Sequence, residues 1–179
     1  RALGGISIVF QATRIFSGMT VLENVMVGAH AQYGYGSPDA IFQTRKFKHQ
    51  ENAIQERARV ALRQVDLLSY AQSSAETLPL GGQRRMQVAR ALCSDSRLLL
   101  LDEPAAGLRG DERDVLAKSI SRLRELGKTI VLIEHDVRFV MQLCDNITVL
   151  DLGEVIATGT PAAVRSDRRV IDAYLGVGD

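Results

Sequence analysis

Cysteine is scarce in this chain: Cys93 and Cys144 are the only two among 179 residues, and each falls in an apolar helical pattern. With no charged-then-apolar leader at the start, this usage points to a reducing cytosol and to two inert core thiols. Charge of one sign is also lacking. The formal net charge is +1 and the sequence pI is about 8.0, so there is neither the basic excess of a nucleic-acid binder nor an acidic tail. No apolar run approaches the roughly 20 residues needed to cross a bilayer, so any membrane association has to pass through a partner protein. Internal repeats and low-complexity linkers are missing too. What is present, 46% hydrophobic and 24% charged residues, suits one compact domain or a large piece of one.

The hydrophobic pattern alternates between short strands and longer helices. Residues 6–10 read as a buried strand ending at Gln11, and Thr20 and Glu23 have capping-box spacing ahead of a helical run over 24–32. Tyr33-Gly-Tyr-Gly-Ser-Pro38 breaks that run. The segment 39–50 carries Arg45, Lys46 and Lys48 as a solvated face. From about Glu51 a helical period sets Ile54, Ala58, Ala61, Leu62, Val65 and Leu68 on one side. Leu80-Gly-Gly-Gln83 opens another helix, with Met86, Ala89, Leu92 and Cys93 inward and Arg84, Arg85 and Arg90 available to solvent or to anions. Residues 98–101 form a strand expected to be buried on both faces, and Asp111 is the expected N-cap of a helix bearing Leu116, Ile120 and Leu123 that stops at Gly127. Residues 129–133 form a further strand. Two strands, each preceded by a helix, predict a parallel sheet covered on both faces. Residues 147–150 and 155–157 flank a hairpin turn, and Thr160-Pro161 starts the C-terminal helices.

The stretch LLLLDEP drives four leucines straight into Asp102 and Glu103, where unsolvated and unpaired charges would cost several kcal/mol. A parallel sheet resolves the conflict, because ligands gather at the carboxyl ends of its strands. The leucines hold the strand and the two acids emerge at its tip, where a cation can neutralise one of them. An Asp so placed is the Walker B arrangement, which holds Mg²⁺ on nucleoside-triphosphate phosphates. A buried strand ending in an acid and a proline turn also occurs in α/β proteins that bind no nucleotide. The company it keeps tips the balance: a strand-terminal Gln11, a Gly81-Gly82 helix start, Asp102 with Glu103, and a strand-terminal His135, in this order with helices between.

That order resembles the ATP-binding subunit of ABC transporters from the first residue to the last. VFQATRIFSGMTVLENV is similar to the Q-loop, LPLGGQRRMQVARAL to the signature motif and its helix, LLLLDEP to Walker B, AAGL to the D-loop and IEHD to the switch histidine. FSGMTVLENVMVGAH, IEHDVRFVMQLCDNITVLDLGEVIATGTP and the ending VIDAYLG resemble the branched-chain amino-acid importers of the LivG type. The resemblance implies an α/β fold: a P-loop NTPase-like parallel sheet flanked by helices, with an α-helical subdomain. The Q-loop and helical subdomain with the signature helix would span about 12–95, the Walker B, D-loop and switch-histidine core about 96–160, and the C-terminal helices 161–179. It implies ATP and Mg²⁺, with Asp102 and Gln11 on the metal, Glu103 as general base or water-positioner, and His135 on the γ-phosphate. Gly81, Gly82 and Gln83 would meet ATP held by a second subunit in a head-to-tail dimer. Transmembrane permease subunits would be direct partners and a solute-binding protein an indirect one, at the cytoplasmic face of the membrane, with no nucleic acid. His30 and His49 lack such company and read as solvent or packing residues.

Three departures qualify the expectation. No GxxxxGK[ST] occurs in the chain, whereas in this family that loop precedes the Q-loop and supplies backbone donors and a lysine to the β- and γ-phosphates. The stretch is therefore expected to be the C-terminal part of an ATPase domain, without the early strands, and to be inactive or nearly so alone. Pro79 stands where the common signature has a phosphate-binding serine, and Gly82 where it has glutamine. Arg109 replaces the usual D-loop aspartate. Two rival readings stay open: a non-hydrolytic module that docks a permease or partner ATPase, and a soluble ABC-type ATPase, which the near-neutral charge and single copy disfavour.

Overall fold

The computed structural model describes residues 5–11, 14–32 and 44–175. It divides into two compact units, Arg1–Ile133 and Glu134–Asp179. The break signal at residues 33–38 lies outside the described residues.

The first unit contains a parallel three-stranded sheet in the order β1 (Ile6–Val9), β2 (Leu98–Asp102), β3 (Thr129–Ile133). β2 is central, as its leucines predict. Helix α1 (Val21–Met26) starts on the expected capping box: Thr20 Oγ1 accepts from the Glu23 N–H at 3.2 Å, and the Thr20 N–H donates to Glu23 Oε2 at 2.7 Å. Thr20's backbone and hydroxyl donors hold the Glu23 carboxyl below its ordinary range. The run then tightens into a 3₁₀ segment, Val27–Gln32.

The following helix, α2 (Arg45–Gln64), begins six residues before the expected Glu51. Thr44 caps it by accepting from the Phe47 N–H at 3.2 Å, so an apolar period is not needed to start the first turn. Its buried stripe, Ile54, Ala58, Ala61 and Leu62, follows the predicted spacing, with Val65 at the C-cap, but Leu68 belongs to a separate 3₁₀ turn. Helix α3 (Leu80–Cys93) is the hub, packed against α1, α2, β1 and the next helix α4 (Gly110–Glu125). Arg109, not Asp111, is the N-cap of α4, and its N–H donates to Glu112 Oε2 at 3.2 Å. Burial pushes the Cys93 thiol up to about 11, consistent with an inert core residue; Cys144 is only half-buried.

One expectation about the sheet fails. β2 is not buried on both faces: Leu99 and Leu101 are fully buried, while Leu98 and Leu100 are only half-buried. Register aligns the half-buried face with Ile6 on β1 and with Val131 and Ile133 on β3, which are 41%, 44% and 50% exposed. Period-two alternation assigns the two faces, and among the described residues only the Leu99–Leu101 face is sealed.

The second unit holds α5 (Val137–Leu143), an antiparallel hairpin of β4 (Ile147–Asp151) and β5 (Glu154–Gly159), and the short helices α6 (Pro161–Ser166) and α7 (Arg168–Val170). Its core is Ile147, Ala157, Val164 and Val170. The predicted cap Thr160 accepts from the Ala163 N–H at 3.3 Å, with Pro161 in the first turn. Among the described residues, no helix is long and apolar enough to cross a membrane.

Candidate functional site

Parallel pairing brings the ends of β1 and β2 to the same edge. The last β1–β2 couple is Val9 with Leu101, so Gln11 and Glu103 each lie two residues further along neighbouring strands. Gln11 Nε2 donates to Glu103 Oε2. Glu103 leaves the strand through a left-handed backbone, φ 44°, a conformation that costs a non-glycine residue about 1–3 kcal/mol and clusters at functional sites. Its N–H donates to the Ile133 carbonyl at 2.9 Å, which keeps β3 in register with the turn. Asp102, the last residue of β2, pairs with Ile133 and is half-buried.

Gly81 and Gly82 are buried in the first turn of α3. The Gly81 N–H donates to Glu112 Oε1 at 3.1 Å, and a Cβ on Gly81 would stand 3.0 Å from that oxygen. A side chain there would push the Glu112 side chain back by a few tenths of an ångström. Gln83 turns back to the residue ahead of the helix cap, with Nε2 donating to the Leu78 carbonyl at 2.9 Å.

The expectation that Arg84, Arg85 and Arg90 are available to solvent or anions is overturned for Arg84, while Arg85 and Arg90 are half-buried. Arg84 is 7% exposed; its Nη1 donates to the Gln11 carbonyl and its Nη2 to the Ala106 carbonyl at 3.4 Å. Arg85 Nη1 donates to the Val65 carbonyl at 2.8 Å and the Asp66 carbonyl at 3.2 Å. Arg90 donates to the Asn24 carbonyl at 2.9 Å, to Asn24 Oδ1 at 2.7 Å and to the Arg14 carbonyl at 2.8 Å, and lies 4.9 Å from the Phe16 ring centroid. Burial pulls the Arg85 and Arg90 guanidiniums below their usual range. α3 is buried nearly all round, so its arginines reach main-chain carbonyls of neighbouring loops and of α1 in place of water.

Asn24, which sequence reasoning passed over, is fully buried. Its Oδ1 accepts from the Phe16 N–H at 2.9 Å, and its Nδ2 donates to the Phe16 carbonyl at 3.1 Å and the Thr20 carbonyl at 3.1 Å. The signal was faint: one polar residue between Leu22 and Val25 in an apolar helix start. Asn24→Ala is expected to lose about 2 kcal/mol of stability, read as a lower urea midpoint at unchanged slope.

His135 lies in the second unit and is described there by itself. Its side chain is 73% exposed, and its N–H donates to Glu134 Oε2 at 3.1 Å. The described contacts thus join Gln11 to Glu103, with Asp102 beside them; Gly81, Gly82 and Gln83 form a second group at the start of α3.

The profile of the family described as ABC transporter matches residues 1–106. The chain belongs to the ABC transporter family. A profile described as branched-chain amino acid ATP-binding cassette transporter matches residues 154–179 of this ABC transporter chain. It is 41% identical to the high-affinity branched-chain amino acid transport ATP-binding protein BraF of Pseudomonas aeruginosa, over 96% of the chain and 68% of that protein. It is 39% identical to LivG of Escherichia coli over the same shares, 96% and 68%. Among solved structures, an ATP-binding cassette of an ABC transporter in its ADP conformation superposes with a TM-score of 0.78 at 27% identity, covering 98% of this chain and 70% of that one. CbiO1 from Clostridium perfringens, part of the ABC transporter complex cbiONQ, gives 0.75 at 29% identity, covering 94% of this chain and 62% of that one. The α/β fold with a parallel sheet is therefore that of ABC ATP-binding domains.

Proposed function

We propose that this chain is an ATP-hydrolysing subunit that energises an importer of branched-chain or related amino acids. The observation that carries the reading is the hydrogen bond from Gln11 to Glu103 at the tip of β2, next to Asp102. Phosphoryl transfer to water depends on positioning and charge stabilisation, and these side chains supply both. Glu103 accepts the proton of the attacking water, or a strong hydrogen bond from it, as that oxygen bonds to the γ-phosphorus and the bridging oxygen departs with ADP. Gln11 Nε2 donates to Glu103 Oε2 and so orients the carboxylate at the strand tip.

The donors at the strand tip, a carboxylate and an amide oxygen, are the hard oxygens that Mg²⁺ prefers. Among the described residues no three His, Cys, Asp or Glu side chains gather into a metal cage. Asp102 and Gln11 would hold Mg²⁺, which neutralises charge on the phosphates. His135 would donate to the γ-phosphate. The helix start at Gly81-Gly82 would meet the nucleotide of a second subunit, which has to displace the Glu112 carboxylate. Permease subunits would anchor the chain at the cytoplasmic face, with a solute-binding protein engaged through them.

No GxxxxGK[ST] lies within the 179 residues, so this stretch alone is expected to bind ATP weakly and to turn over little. The test compares it with a form carrying a strand, GxxxxGK[ST] loop and helix fused ahead of Arg1, by titration calorimetry with ATP and by phosphate release. Turnover in the fused form with none in the 179-residue chain supports the reading. A folded fused form that docks a permease and releases no phosphate sinks it in favour of a non-hydrolytic module.

A further inference from the structure

A guanidinium buried away from water is costly unless its donors are met, so the placement of Arg84 calls for a reason. Its fork spans two loops. Nη1 donates to the main-chain carbonyl of Gln11 at the end of β1, and Nη2 to the carbonyl of Ala106. Both partners lead to the same residue, Glu103, one to its side chain and one to its main chain. Gln11 Nε2 donates to the Glu103 carboxylate, and the Ala106 N–H donates to the Glu103 carbonyl at 3.1 Å. The four residues form a closed ring: Arg84 to Gln11, Gln11 to Glu103, Glu103 to Ala106, Ala106 to Arg84. Arg84 stands one turn from Gly81 on the same helix.

We infer that Arg84 is a positioning residue: it fixes the Gln11 backbone so that the Gln11 amide is held against Glu103, and so ties the glycine start of α3 to the hydrolytic carboxylate. Arginine suits the task because its planar fork offers diverging donors at fixed angles, where a lysine offers one compact ammonium. Arg85 and Arg90 also bind main-chain carbonyls, but among the described contacts neither donates to a residue bonded to Glu103. The catalytic consequence rests on reading Glu103 as the water-holding group; the ring of contacts does not.

The test therefore reads the ring directly in the 179-residue chain by ¹⁵N NMR of the Gln11 side-chain amide. Glu103→Ala is expected to shift that resonance in the parent. In an Arg84→Met background the same Glu103→Ala change is expected to shift it at least about fivefold less, the signature of coupling lost in a double-mutant cycle. Backbone amides of β2 serve as the control for global disruption. Should Arg84→Met fail to fold, Arg84→Lys and Arg84→Gln, each too limited to bridge both carbonyls, are expected to show a weakened response with β2 unmoved. An undiminished response in any folded Arg84 variant overturns the inference, as does a parent in which Glu103→Ala leaves Gln11 unshifted. In the fused form, Arg84→Met should lower kcat about tenfold with the KM for ATP unchanged; an unchanged kcat overturns it too. If the fused parent has no turnover, the ATPase reading fails, and the NMR response still decides the ring.

Discussion

Glu103→Gln is expected to lower ATP turnover in the fused, phosphate-loop-bearing form by about 10²–10⁴-fold while leaving ATP affinity within about a factor of three. The substitution keeps the shape of the side chain and an acceptor oxygen for Gln11 Nε2, which donates to the Glu103 carboxylate. It removes only the negative charge and the ability to take a proton. Glu103→Ala removes the Gln11 contact as well. If proton acceptance is the larger contribution, both variants fall to a similar floor, whereas a much lower floor for alanine assigns the loss to the placement of Gln11. Phosphate release and ATP calorimetry on the three proteins separate these outcomes. A fall of less than about tenfold for Glu103→Gln is below what general-base catalysis contributes and would remove Glu103 from the chemistry.

Much of both units is legible in the sequence. The three strands, the caps at Thr20 and Thr160, and the acids at the tip of β2 follow from hydrophobic period and capping chemistry, which are local. The failures come from one local cap and from contacts between segments distant in the chain. α2 starts early because one hydroxyl, that of Thr44, caps a polar turn that has no apolar period to announce it. Arg84 looked solvent-facing because arginine usually is, and nothing local shows that the Gln11 carbonyl, 73 residues away, lies over it. The neighbours Val88 and Ala91, one and two turns on and both buried, were the available hint. The Gln11–Glu103 contact spans 92 residues and was legible only through parallel register, which carries the ends of adjacent strands to one edge. His135 is singled out by motif order alone, and its contact with Glu134 is the kind of adjacent contact that sequence can suggest.

The alternation across β2 sets up the largest expected stability effect. Leu101→Ala should cost about 3–4 kcal/mol, because Leu101 is fully buried on the sealed face and its truncation loses both transfer energy and the contacts around the cavity. Leu100→Ala, one residue earlier, should cost about 1 kcal/mol, since that side chain is half-buried on the face shared with exposed Val131 and Ile133. Neighbours of the same type in the same strand thus differ about threefold in cost by pleat alone. Urea unfolding followed by far-UV circular dichroism measures both, with equal slopes as the sign that only stability has changed. Equal losses at the two positions would mean that the open face is covered in solution, and the one-sided sheet would have to be abandoned. Leu101 also abuts Asp102 and Glu103 in the chain, so its cavity should loosen the tip of β2. Leu101→Ala is therefore expected to weaken the Gln11 amide response to Glu103→Ala, and Leu100→Ala to leave it intact.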